Sequence, residues 1–103
     1  MNAHKVKQCM ALQITRCIDT LETKAKEYVT GDDRLEHFKL AAAEQETTPK
    51  AALWGMASKH TTSLGRMCRE GEHPVELWDE KITDAINYLL LLRTLVEEDT
   101  KNE

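Results

Sequence analysis

Apolar residues recur along this chain at three- and four-residue spacing, in four blocks separated by glycine, proline or short polar runs. The first block, about His4 to Tyr28, sets Val6, Met10, Ile14, Cys17, Ile18, Leu21, Ala25 and Tyr28 among charged and polar residues, which predicts one long amphipathic helix. The β-branched pair Val29-Thr30 and Gly31 end it, and Asp33 followed three residues later by Glu36 has the order of a capping box. A shorter helix is expected from about Arg34 to Glu44, with Leu35, Phe38, Ala41 and Ala42 as its apolar edge. After the polar link Gln45 to Thr47, Thr48-Pro49 is an N-cap residue followed by proline at the first helical position. The third helix, Pro49 to Glu70, gathers Leu53, Met56, Ala57, His60, Leu64, Met67 and Cys68 on one face. Its other face, with Gly55, Lys59, Thr62, Arg66 and Arg69, is basic. The short turn Gly71 to Pro74 then implies that the third and fourth helices are antiparallel.

The fourth block, Val75 to Glu98, is apolar on two sides. At roughly 100° per residue, Trp78, Ile82, Ala85, Ile86, Leu89, Leu92 and Val96 form one stripe, and Leu77, Tyr88, Leu91 and Leu95 fall on the other side. Such a helix is central in a bundle or shared with a second subunit, so a homo-oligomer is expected, most simply a two-fold dimer with Leu91 and Leu95 in or beside its interface. No segment alternates as a strand does, and no internal repeat is present. The expected fold is all-α, a four-helix bundle in a single domain over 1–98, followed by a frayed acidic tail, 99–103.

Composition narrows the classes of function. Lys and Arg number 14 against 18 Asp and Glu, and the net charge of −4 argues against general binding to nucleic acid backbones. Cys9, Cys17 and Cys68 have no paired motif spacing; they read as small buried hydrophobes in a reducing compartment. No apolar run has the length of a signal peptide or a membrane span, so a soluble, cytoplasmic protein is expected.

Into the second side of the fourth helix are set Glu80, Asp84 and Asn87, aligned by four- and three-residue steps. Oxygen ligands select a hard cation such as Mg²⁺, which bridges to phosphate, and Lys59 or Arg34 would neutralise the rest of the phosphate charge. The competing reading is a solvated polar strip. His60, within an apolar stripe, and His37, beside Phe38, read as packed histidines rather than ligands, and Trp54 and Trp78 as packing residues. No glycine-rich phosphate loop and no nucleophile elbow occurs.

Three blocks, KAKEYVTGDDRLEHFKLAA (Lys24 to Ala42), ALWGMASKHTTSL (Ala52 to Leu64) and WDEKITDAINYLLLL (Trp78 to Leu92), follow each other in an order that resembles small phage and prophage MazG-like proteins. These are similar to the all-α nucleoside triphosphate pyrophosphatases and dimeric dUTPases. The resemblance, spanning about Lys24 to Glu98, implies an oligomeric helical fold that binds Mg²⁺ and cleaves a nucleoside triphosphate to the monophosphate and pyrophosphate. It assigns Asp84 to the aspartate of a glutamate-x-x-aspartate motif, with Glu80, Asp33 and Glu36 as the other metal candidates, Lys59 and Arg34 at phosphate, and Asn87 or Tyr28 at the base or sugar. The motif glutamate three before Asp84 is Lys81, and the cluster EExxE is absent. The resemblance therefore carries nucleotide binding further than hydrolysis. The rivals are a non-catalytic phage accessory protein that binds a nucleotide or a host protein, and a purely structural homodimer.

Overall fold

Thr48 and Pro49 open a helix as their order demands: Thr48 is extended, its hydroxyl accepts the Ala51 amide at 3.2 Å, and Pro49 occupies the first turn, where no amide hydrogen is needed. The computed structural model describes residues 1–101 except 29 and 30, and of Tyr28 only the backbone; the expected helix stop at Val29-Thr30 and the end of the tail lie outside the described residues. The described residues form four helices, α1 (Ala3–Tyr28), α2 (Glu36–Glu44), α3 (Pro49–Glu70) and α4 (Val75–Lys101), and no strand occurs among them. The all-α expectation holds. None of the described helices is long and apolar enough to cross a membrane.

The helix ends show local chemistry at work. Gly71 closes α3 at φ 93°, a conformation that favours glycine, and donates its amide to the Met67 carbonyl. At the end of α2, Thr47 donates to the Ala42 carbonyl at 2.9 Å and Glu46 to that of Ala43 at 3.3 Å, a Schellman closure that puts Glu46 at φ 54°. The start of α2 differs from the expected capping box. The Asp33 carboxylate accepts the amide of Leu35, two residues on, so the chain makes an Asx turn and the helix begins at Glu36 rather than Arg34. At the other end of the chain α4 runs on to Lys101, where a frayed tail from 99 was expected, and Lys50 pairs with Asp99 at 2.8 Å.

That pair and the stacking of His60 on Tyr88 show α3 and α4 running antiparallel, as the short Gly71–Pro74 turn requires. The core lies between α2, α3 and α4: Leu35, Phe38, Leu53, Ala57 and Leu95 are buried together, with Met56, Tyr88, Leu91 and Leu92 packed against them. Burying a leucine such as Leu53 contributes on the order of 1.5–3 kcal/mol. Leu95, expected at a subunit interface, is instead 2% exposed within the single chain, because Phe38 of α2 and Leu53 of α3 fill that side of α4. Leu91 packs there too.

The first helix departs most from expectation. Its stripe meets α4 only from Gln13 onward, where Gln13 donates to the Thr83 hydroxyl at 2.8 Å, Arg16 pairs with Asp79 at 3.4 Å and Cys17 is fully buried. Val6, Met10, Ile14 and Ile18 remain exposed. Two of the three cysteines also differ from expectation: Cys9 sits on the part of α1 that projects past the core, and Cys68 on the outer side of α3, so both are exposed.

Candidate functional site

Where α1, the start of α2 and the middle of α4 meet, they enclose a pocket of about 270 Å³. Its apolar wall is Leu21, Phe38, Tyr88 and Leu91, and its polar groups are Lys24, Arg34, Glu36, His37, Asp84 and Asn87. The Asx turn at Asp33 positions this side of α2, because it starts the helix immediately before Glu36 and His37. Arg34 is tethered through one guanidinium nitrogen to the Leu21 carbonyl at 3.4 Å, which ties the α2 entry to α1 and spends only one of its five N–H donors.

Asn87 is the informative residue. It is 5% exposed, and neither its amide nitrogen nor its carbonyl oxygen has a hydrogen-bond partner among the described residues. Burying an unanswered polar group costs about 1–3 kcal/mol, which makes a carboxamide on a leucine-rich helix at the pocket wall an unusual feature of this fold. Beside it, Lys24 lies 3.3 Å from one oxygen of Asp84, and His60 Nδ1 lies 3.9 Å from the other, an ion-pair separation rather than a hydrogen bond. His60, expected to be largely buried with a paired ring nitrogen, is 23% exposed at its side chain, and its ring rests on Tyr88 at 5.1 Å.

Of the residues singled out in the sequence, Arg34, Glu36, Asp84 and Asn87 come together in the pocket. Glu80 is exposed and outside the pocket lining, because α1 covers α4 along the side of Asp79 and Thr83 and the pocket opens further along the helix. Asp33 is also outside the lining; it is held by Lys39 at 2.6 Å, and that hydrogen bond, with the Leu35 amide, lowers its pKa. Lys59 is on the exposed face of α3, and the side chain of Tyr28 lies outside the described residues. The four carboxylates expected at Mg²⁺ therefore do not converge, and among the described residues no group of three Asp, Glu, His or Cys side chains is arranged to hold a metal. Lys24, His37 and Tyr88 were not anticipated as pocket residues; the lysine gives no signal in a stretch where α1 carries Glu22, Lys24, Lys26 and Glu27 within six residues.

Compared with protein families, curated proteins and solved structures, the chain matches none.

Proposed function

We propose that the pocket binds a nucleotide, in keeping with the MazG-like resemblance of the Lys24 to Leu92 blocks. The observation that carries this reading is the buried, unpartnered Asn87 amide. Both polar atoms of Asn87 are closed off from solvent, and once the side chain turns into the pocket its donor and acceptor match the edge of a nucleobase, which offers the same two groups in reverse. The apolar wall of Leu21, Phe38, Tyr88 and Leu91 suits the faces of the base, and Lys24 and Arg34 supply positive charge for phosphate. The volume, at the lower edge of the ~300–1,000 Å³ typical of small-molecule pockets, accommodates the base and sugar and leaves the phosphates toward the two cations.

Binding without turnover is favoured over pyrophosphohydrolysis. Only Glu36 and Asp84 of the expected carboxylates line the pocket, Asp84 is already paired with Lys24, and among the described residues no three metal-ligating side chains gather there. Thermal-shift measurement across the ordinary nucleotides, paired with a pyrophosphate-release assay with and without Mg²⁺, tests both parts. The reading expects stabilisation by a subset of nucleotides and no pyrophosphate above background. Release of pyrophosphate would restore the hydrolase reading, and the absence of any thermal shift would remove the nucleotide.

A further inference from the structure

The apolar stripe on the outer part of α1 has no cover among the described residues. Val6 is 38% exposed, Met10 56%, Ile14 48% and Ile18 48%, while Cys17, on the adjacent side of the same helix, is fully buried against α4. The molecule is correspondingly elongated: its radius of gyration is 15.6 Å, against about 13 Å for a compact chain of this length. Exposed apolar side chains at four-residue spacing on one helix form a contiguous patch, which is the form an interaction site takes on a helix.

We infer that this stripe is the contact surface for a second copy of the chain, with α1 packing antiparallel on α1 of its partner about a two-fold axis at Ile14. The stripe complements itself in that register. Met10 of one copy faces Ile18 of the other, Ile14 meets its own equivalent, and the exposed Lys7 is brought beside the other copy's exposed Glu22, each contact made twice. Charge supports the same arrangement. From residue 1 to 18 the helix carries Lys5, Lys7 and Arg16 and no carboxylate, and all of its carboxylates, Asp19, Glu22 and Glu27, follow, with Lys24 and Lys26 among them. Lysines near a helix N-terminus stand against the positive end of its dipole, with no acidic residue in the first turn of α1 to offset them. An antiparallel partner brings Glu22 and the negative end of its own dipole to that place. The surface is separate from the pocket, and the inference does not depend on nucleotide binding.

The stripe from Val6 to Ile18 is only about 18 Å long at 1.5 Å per residue, so the interface is small and the dimer dissociates on dilution. Light scattering and sedimentation equilibrium on the full chain, from low to high micromolar concentration, are expected to show a concentration-dependent rise from 11.8 kDa toward twice that mass. Ile14→Lys is expected to abolish the rise with no change in the circular dichroism spectrum, since the side chain is outside the core. Lys7→Glu and Glu22→Lys are each expected to weaken association several-fold, and the double variant to recover it. A monomer at every concentration, or a dimer that survives Ile14→Lys, overturns the inference; a double variant no better than the singles overturns the register.

Discussion

Lys24 Nζ stands 3.3 Å from Asp84 Oδ1, linking α1 to α4 at the pocket in which Asn87 has no partner among the described residues. The lysine side chain is half-exposed and the aspartate mostly covered, so the pair itself contributes about 1 kcal/mol or less to stability. Its larger effect is competition, because a phosphate that recruits Lys24 must take it from Asp84. Asp84→Asn is therefore expected to tighten binding of a triphosphate several-fold in the absence of divalent metal, measured by fluorescence or calorimetric titration. Loss of binding in that variant would mean that the carboxylate itself holds the ligand or a cation.

Replacing Asn87 by leucine separates structural cost from function. The substitution removes a buried amide that has no partner among the described residues, so the ligand-free protein is expected to gain roughly 1 kcal/mol in urea unfolding while losing every nucleotide-dependent shift in Tm. A destabilised variant would show that the amide is answered within the fold.

Lys39 bridges Asp33 at 2.6 Å and Glu98 at 2.8 Å, joining the entry of α2 to the end of α4. Hydrogen bonding to Lys39 is the largest cause that lowers the Asp33 carboxyl below 3.8, and hydrogen bonding to Asp33 and then Glu98 raises the Lys39 amine above 10.5. A lowered carboxyl stabilises the fold above its unfolded value, and that contribution is lost as pH falls below 3.8 through the folded value. A raised amine stabilises below 10.5, and its contribution is lost as pH rises beyond that through the folded value. Lys39→Met is expected to lower Tm at neutral pH and to flatten both the acid and the alkaline limbs of a Tm-against-pH profile. An unchanged profile would show that solvent screens the clamp completely.

Glu46 closes α2 with a positive φ of 54°, where a side chain costs about 1 kcal/mol that glycine avoids. Glu46→Gly is expected to raise stability by roughly 0.5–1 kcal/mol, read from chemical denaturation, with the α2 exit unchanged. A loss of stability would show that the Glu46 side chain contributes more than its backbone costs.

Much of the helical frame was legible in the sequence because the signals at its ends are local. Thr48-Pro49 and Gly71 act through the backbone within four residues, and α3 begins and ends at them. The second apolar side of α4 was legible as buried, but not its cover: Leu95 looks the same in sequence whether α2 and α3 or a second subunit lies over it. The stripe of α1 poses the reverse problem, since a helical period shows a face and not whether the chain is long enough to meet it. In the pocket, Asp84 and Asn87 stood out because polar groups among leucines are rare, and Arg34 and Glu36 because they enter α2 beside them. Glu80 was misleading by proximity. Its place one turn before Asp84 fits a shared line along a straight helix, but the pocket is bounded by Leu21 and Lys24 of α1, whose approach no local pattern records.

The most direct test of the account is isothermal titration of the protein with nucleoside mono- and triphosphates, run in parallel on Asn87→Leu and Arg34→Ala. Saturable binding at one site per chain is expected for the parent protein, abolished by Asn87→Leu and weakened at least tenfold for the triphosphate by Arg34→Ala, as for loss of a charged hydrogen bond of about 1.5–3 kcal/mol. Absence of heat with every nucleotide, or binding that Asn87→Leu leaves untouched, would contradict it.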